Sequence, residues 1–132
     1  MCIRDRYLNK EASRLVSGIT GGIYDSMSID ENLNVFLNTK SRLVPLESIS
    51  SGAMDQVYLA LRLAAARLLQ GDGEPFPLIF DDSFTLYDDD RLRTALKWLS
   101  AAYDGQMIIF TCHRREAQML RALQAEFQLE EI

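Results

Sequence analysis

Cysteine, histidine and excess positive charge are all scarce in this chain of 132 residues. Its two cysteines, Cys2 and Cys112, form no metal-ligand spacing, and one lies at the very start, which argues against a disulfide framework and for a reducing compartment. The formal net charge of −5 excludes a domain that grips a phosphate backbone by itself. No apolar run approaches the roughly 20 residues of a membrane helix. The start also lacks the charged-then-apolar order of a signal peptide, so a cytoplasmic protein without a membrane segment is expected. None of the seven glycines is followed by lysine, so the phosphate-cradling loop G-x-x-x-x-G-K-[ST] is missing. Internal repeats and low-complexity segments are absent too. What remains is 48% hydrophobic, enough for the core of one ordinary domain.

Residues 1–6 continue no clear pattern and read as a non-native lead or the ragged edge of a fragment. Over residues 7–16, Leu8, Ala12, Leu15 and Val16 recur at helical spacing, and Gly18 with Gly21 and Gly22 signals a stop and turn. Residues 23–29, 33–37 and 43–46 are short apolar runs between turn clusters, the pattern of an antiparallel meander. The longest helical stretch is 53–70, with Val57, Leu61, Ala64 and Leu68 as one stripe widened by Leu59, Leu63 and Ala66. Gln56, Arg62 and Arg67 interrupt its apolar surface, and it is expected to be largely buried, with the two arginines in structural ion pairs. After the breaker at 71–75, Leu78, Ile79 and Phe80 suit a strand covered on both faces. A helix beginning among Asp88 to Asp90 and reaching Tyr103, with Leu92, Leu96, Leu99 and Tyr103 inward, has an acidic first turn that complements its dipole. A buried strand over 107–111, a helix over 115–125 and a last strand over 127–132 follow. Strands alternating with helices imply a parallel α/β layer.

Three places have the makings of chemistry. Asp81 and Asp82 stand where an apolar strand delivers two carboxylates to its C-terminal end, the place where open α/β sheets put their ligands. One carboxylate can hold Mg²⁺ while the next orients or deprotonates an attacking water, an arrangement suited to phosphoryl transfer. The plainer alternative is two aspartates opening a polar loop. Ser50, Ser51 and Gly52 put hydroxyls and bare backbone at a helix N-terminus that favours an anion, or else form an ordinary serine cap. His113, the single histidine, follows the strand 107–112 and could reach the same sheet end as the aspartates, or simply cap its strand. Cys112 reads as a core thiol, since no activating group accompanies it. Asp88, Asp89 and Asp90 are most simply a solvated helix start.

The order of these elements resembles the C-terminal half of the ABC-type ATPase head carried by SMC-like proteins, especially the YhaN and SbcC-like group. Residues 50–64, opening Ser50-Ser51-Gly52, resemble the signature segment. Leu78-Ile79-Phe80-Asp81-Asp82 looks like the Walker B strand, residues 84–88 like the D-loop, and Phe110-Thr111-Cys112-His113 like the switch-histidine strand. Residues 20–24 look like a turn that the group carries upstream of its signature. The resemblance covers nearly everything from Tyr7 onward. It implies that Ser50 and the Gly52 backbone contact the γ-phosphate of ATP held by the opposite head, with Ser51 in the same turn. It further implies that Asp81 serves Mg²⁺, Asp82 polarises the attacking water, Asp88 communicates across the dimer and His113 senses the γ-phosphate. Asp82 stands where the family often has glutamate, Ser51 replaces the glycine of the usual signature, and Ile23 stands where a basic residue is common.

Two units are expected on this resemblance: residues 1–18 as a lead and the end of a coiled-coil or linker helix, and residues 19–132 as the C-terminal lobe. The implied cofactors are ATP and Mg²⁺. The implied partners are an N-terminal Walker A half, a second head in an ATP-sandwiched dimer, and DNA through the complete protein, in DNA repair or chromosome maintenance. Without Walker A the chain is expected to be a fragment or a subunit completed by a separate half, inactive alone. Three alternatives stay open: a transporter nucleotide-binding domain, a stand-alone Mg²⁺ phosphohydrolase built on Asp81, Asp82 and Asp88, and a non-catalytic interaction module.

Overall fold

The computed structural model describes residues 3–132. Met1 and Cys2, and with Cys2 the reading of the cysteine pair, lie outside the described residues.

The first helix, α1 (Ile3–Ile19), is longer at both ends than the periodicity implied. Residues 3–6 continue it, and at its other end it runs through Gly18, where a side chain has no room: a Cβ there would stand 2.0 Å from Trp98 Nε1. The stop comes at Gly21 and Gly22, both at positive φ, where the Gly22 N–H donates to Ser17 O at 2.8 Å. Ala12, Leu15, Val16 and Ile19 are its buried face.

The meander forms as expected. Strand β1 (Ser26–Ile29) pairs antiparallel with β2 (Val35–Asn38), which pairs with β3 (Leu43–Pro45). The register lines up Met27, Leu37 and Val44 across the three strands, and all three are buried, so one face of the pleat turns inward. In the first turn Asp30 Oδ1 accepts from the Asn32 and Asn34 amides. Ser13 of α1 pins the sheet to the helix, donating to Met27 O at 2.9 Å and accepting from Met27 N at 3.0 Å.

After a short 3₁₀ turn (Leu46–Ser48) comes α2 (Ser51–Gln70), capped by Ser50 and closed by Gly71 at φ 60°. The expectation that α2 is largely buried is corrected. Its inner face is Ala53, Gln56, Val57, Ala60, Leu63 and Ala64, while Tyr58 and Leu69 face solvent and Leu61 and Leu68 are only half-buried. The stripe centres on Ala60 because α2 packs on α1, and small side chains let the helices approach. Gln56, which reads as an interruption, is buried inside that face with Nε2 donating to Ile19 O at 3.1 Å. That bond satisfies a carbonyl near the end of α1.

Strand β4 (Leu78–Asp81) lies parallel to β5 (Met107–Phe110), with α3 (Asp89–Ala102) between them in sequence and α4 (Arg115–Ala122) after them. Phe80 is buried with Leu78, Met107 and Ile109 packed on the core, yet Ile79 is 65% exposed and Phe110 51%. The strand expected to be covered on both faces is covered on one. Alternate residues point to opposite sides of the pleat, and among the described residues the helices furnish a core for one side only. Residues 127–132, expected as a last strand, form none. The parallel sheet ends at β5, and without a strand beside them their amides stay with water. On α3, Leu92, Ala95, Leu96 and Leu99 turn inward, and Tyr103 caps the helix half-buried with its hydroxyl donating to Phe76 O. No helix among the described residues is long and apolar enough to cross a membrane.

Candidate functional site

The parallel pairing brings the C-terminal ends of β4 and β5 together, with Asp81 opposite Phe110. The ladder extends one residue further, the Asp82 amide donating to Phe110 O at 2.9 Å. Asp82 sits at φ 49°, a left-handed conformation that aspartate and asparagine tolerate better than longer side chains. Its carboxylate then reaches across the strand ends, Oδ1 accepting from the Cys112 amide at 3.3 Å. The loop after β5 is shaped by Thr111, whose Oγ1 accepts from the His113 amide at 3.0 Å. Asp81 at the end of β4, and Asp82 and His113 on the loops that follow β4 and β5, are therefore exposed at one end of the sheet. Cys112 is exposed there as well, not the core thiol that its apolar run implied, because β5 ends at Phe110 and the cysteine already belongs to the loop.

Ser50, Ser51 and Gly52 form the entry to α2. Ser50 Oγ accepts from the Ala53 amide at 3.2 Å, a regular N-cap. Gly52 is buried, and Leu86 O lies 3.2 Å from where a Cβ would be, so the turn sits directly on the loop that follows β4. Asp88 caps α3 with Oδ1 accepting from the Arg91 amide at 2.8 Å, and its Oδ2 pairs with the Arg91 guanidinium. Arg91 Nη2 also donates to Ser50 Oγ at 3.2 Å. Arg91 thus joins the serine turn to Asp88, 38 positions further along the chain than Ser50, and Asp88 is more than a solvated helix start.

The Asp88 carboxyl is held below the usual aspartate range, first by the Arg91 backbone N–H and further by the guanidinium. A group whose folded pKa is depressed stabilises the fold above its unfolded value and loses that contribution as pH falls through the folded one. The urea midpoint of the wild type is expected to fall more steeply than that of Asp88→Asn as pH drops below about 4, the ordinary aspartate pKa. Parallel curves for the two proteins would show that Asp88 contributes nothing specific.

The loop between β4 and α3 is fixed from both sides. Phe84 and Tyr87 are buried, Phe84 stacking tilted on Phe80 at 5.1 Å and meeting Tyr87 edge-on at 5.3 Å. Burial raises the Tyr87 phenol pKa above its ordinary value. Arg115, at the start of α4, donates to Phe84 O at 2.6 Å and Tyr87 O at 2.7 Å and reaches Asp89 at 3.3 Å. Sequence reasoning singled out neither Arg91 nor Arg115. Spacing from Asp88 could have flagged Arg91, three residues on in a helix; nothing local flags Arg115. Arg67 makes the expected ion pair, 3.1 Å from Glu11 of α1, whereas Arg62 is exposed on a groove of about 250 Å³ between α2 and β4.

The candidate residues therefore fall into two sets. Asp81, Asp82 and His113 share the sheet end; Ser50, Ser51, Gly52 and Asp88 share the entry to α2, and the loop 82–88 runs between them. Among the described residues no three His, Cys, Asp or Glu side chains gather as a metal site. Mg²⁺ bound with a nucleotide needs only one or two carboxylates, the rest of its shell being phosphate oxygens and water. The exposed Asp81 fits that kind of coordination.

A small antiparallel meander on one helix, then a second helix and a parallel strand pair flanked by helices, is the fold of the C-terminal lobe of an SMC-type ATPase head. The chain superposes on an SMC ATPase described for ATP-driven dimerization and DNA-stimulated activation with a TM-score of 0.69, covering 86% of this chain and 72% of that one at 16% identity. The SMC head domain from Thermotoga maritima gives 0.65 at 16% identity, over 86% of this chain and 40% of that one. The Pyrococcus furiosus Smc head, bound to the C-terminal domain of ScpA, gives 0.62 at 17% identity over 86% and 30%. At those identities the likeness is one of fold. In sequence, the chain is 30% identical over 110 residues to the uncharacterized protein YhaN of Bacillus subtilis, covering 80% of this chain and 11% of YhaN. It is 31% identical over 104 residues to the uncharacterized protein Rv1278 of Mycobacterium tuberculosis, covering 77% and 12%. The chain thus spans about a tenth of the length of the curated relatives it matches. No family model matches it. The resemblance to SMC-like heads and to the YhaN group is borne out.

Proposed function

We propose that this chain works as the C-terminal half of an ATP-hydrolysing SMC-like head, active only with a Walker A half, in DNA repair or chromosome maintenance. The observation that carries this reading is the junction at the strand ends, where Asp82 follows β4 directly and its carboxylate is tied to the loop bearing His113. Asp81 would hold Mg²⁺ with ATP, which when bound neutralises charge developing on the phosphate oxygens. Asp82 has one oxygen anchored on the Cys112 amide and the other free to orient and deprotonate a water. His113, exposed on the loop that follows β5, senses the terminal phosphate. Ser50, Ser51 and Gly52, set apart from the aspartates, serve the ATP of a second head, and Asp88 communicates between the two. Residues 1–18 comprise a lead and the end of a coiled-coil or linker helix, and residues 19–132 the lobe. The neighbour described for ATP-driven dimerization and DNA-stimulated activation, and the one bound to ScpA, support a two-headed assembly with further protein partners.

Titrated alone with MgATP in a calorimeter, this chain is expected to show neither tight binding nor turnover. Mixed with the Walker A half, it is expected to hydrolyse ATP. Sub-micromolar nucleotide affinity of the chain alone, or no turnover from the mixture, would overturn the assignment.

A further inference from the structure

The Ser50 hydroxyl is in an unusual position for a helix cap. A hydroxyl has two acceptor lone pairs and one proton to donate. Here one lone pair takes the Ala53 amide at 3.2 Å and the other takes Arg91 Nη2, also at 3.2 Å. Two N–H donors on one oxygen leave the proton as its sole remaining hydrogen-bonding capacity. Among the described residues that proton has no acceptor, and Ser50 is exposed. An ordinary capping serine keeps a lone pair free and can accept as readily as donate; this one can only donate outward, which suits an anionic oxygen and disfavours a competing donor.

Arg91 is held in place to do this. Its guanidinium is paired to Asp88, whose other carboxylate oxygen accepts the Arg91 amide, so the side chain is fixed at both ends. Its Cδ and Nη1 lie 3.4 Å from where a Gly52 Cβ would stand, so the side chain lies against the serine turn at van der Waals distance. A planar fork can contact Asp88 and Ser50 at once, whereas the point charge of a lysine cannot reproduce that geometry.

We infer that Arg91 is a positioning residue for the proposed ATPase: it commits the Ser50 hydroxyl to donating toward a phosphate oxygen and links that serine to Asp88. This role rests on the function proposed above and goes beyond it, since the resemblance assigns nothing to Arg91. Arg91 itself need not touch the nucleotide; it acts through Ser50, and the two are therefore one unit.

The test is a double-mutant cycle on ATP turnover by the head assembled from this chain and its Walker A half, using Ser50→Ala, Arg91→Met and the pair. Each single change is expected to lower turnover on the order of 10- to 100-fold, the loss of one hydrogen bond to a charged group, and the double no further than the worse single. Arg91→Lys is expected to behave like Arg91→Met. Urea midpoints of the variant chains serve as the structural control, because a role confined to stability would shift the midpoint without coupling the two losses. Losses that multiply, or full turnover with Arg91→Met or Arg91→Lys, overturn the inference and leave the ATPase standing. A wild-type assembly without turnover overturns the ATPase and the inference with it.

Discussion

Asp82→Asn is expected to lower ATP turnover of the assembled head on the order of 10²- to 10⁴-fold, the range for loss of a positioned general base, while leaving the unfolding midpoint of this chain where it was. The substitution is unusually clean here. Asparagine tolerates the left-handed backbone at φ 49°, and its side-chain oxygen still accepts from the Cys112 amide, so only the negative charge is removed. Asp82→Ala is a poorer probe, since it strains the backbone and orphans that amide. Asp82→Glu is informative in the other direction. Restoring the residue common in the family adds a methylene at a position whose backbone favours short polar side chains, so turnover is expected to fall, not rise. Full activity of Asp82→Asn in a steady-state assay would remove Asp82 from the chemistry.

Leu92→Ala is expected to destabilise the chain by about 2–5 kcal/mol, measured by urea denaturation. Leu92 is fully buried on α3, directly after Arg91 and one turn from Asp88. The side chain fills space that the neighbouring core cannot close, so the cost combines lost burial with a cavity. Against a total of about 5–15 kcal/mol for an ordinary domain, that is a large share. Leu92→Met, nearly equal in volume, is expected to lose less than about 1.5 kcal/mol. Equal losses for the two would mean that shape at this position, not filled volume, sets stability.

Periodicity located every α-helix and every strand, and added one strand, at 127–132, that does not form, because those signals are local. Short apolar runs between turn clusters marked the three strands of the meander, and the glycine pair at 21–22 marked the true stop of α1. What failed depended on neighbours that no local pattern can name. Leu78, Ile79 and Phe80 are apolar throughout, yet only alternate residues found a core. The tail at 127–132, with Phe127, Leu129 and Ile132 among polar residues, reads as a strand but has nothing to pair with among the described residues. Gln56 looked like a flaw in α2 until Ile19 O appeared opposite it. At the candidate site, residue types and order were legible. The wiring was not: Arg91 reaches back 41 positions to Ser50, and Arg115 reaches back 31 to Phe84, separations at which a single sequence holds no signal.

The way α1 is mounted has a mechanical consequence. A helix of 17 residues is a rod of about 25 Å, and its fully buried residues, Ala12, Leu15, Val16 and Ile19, all lie in its C-terminal half, with Leu8 packed more loosely on the core one turn before them. Such a rod is a lever with its fulcrum inside the domain. Its inner tip is the carbonyl of Ile19, and that carbonyl is held by Gln56, about two turns along α2 from Ser50. Torque applied to the outer end is delivered to the helix that presents the serine turn, and a shift of that turn is returned as a swing of the rod.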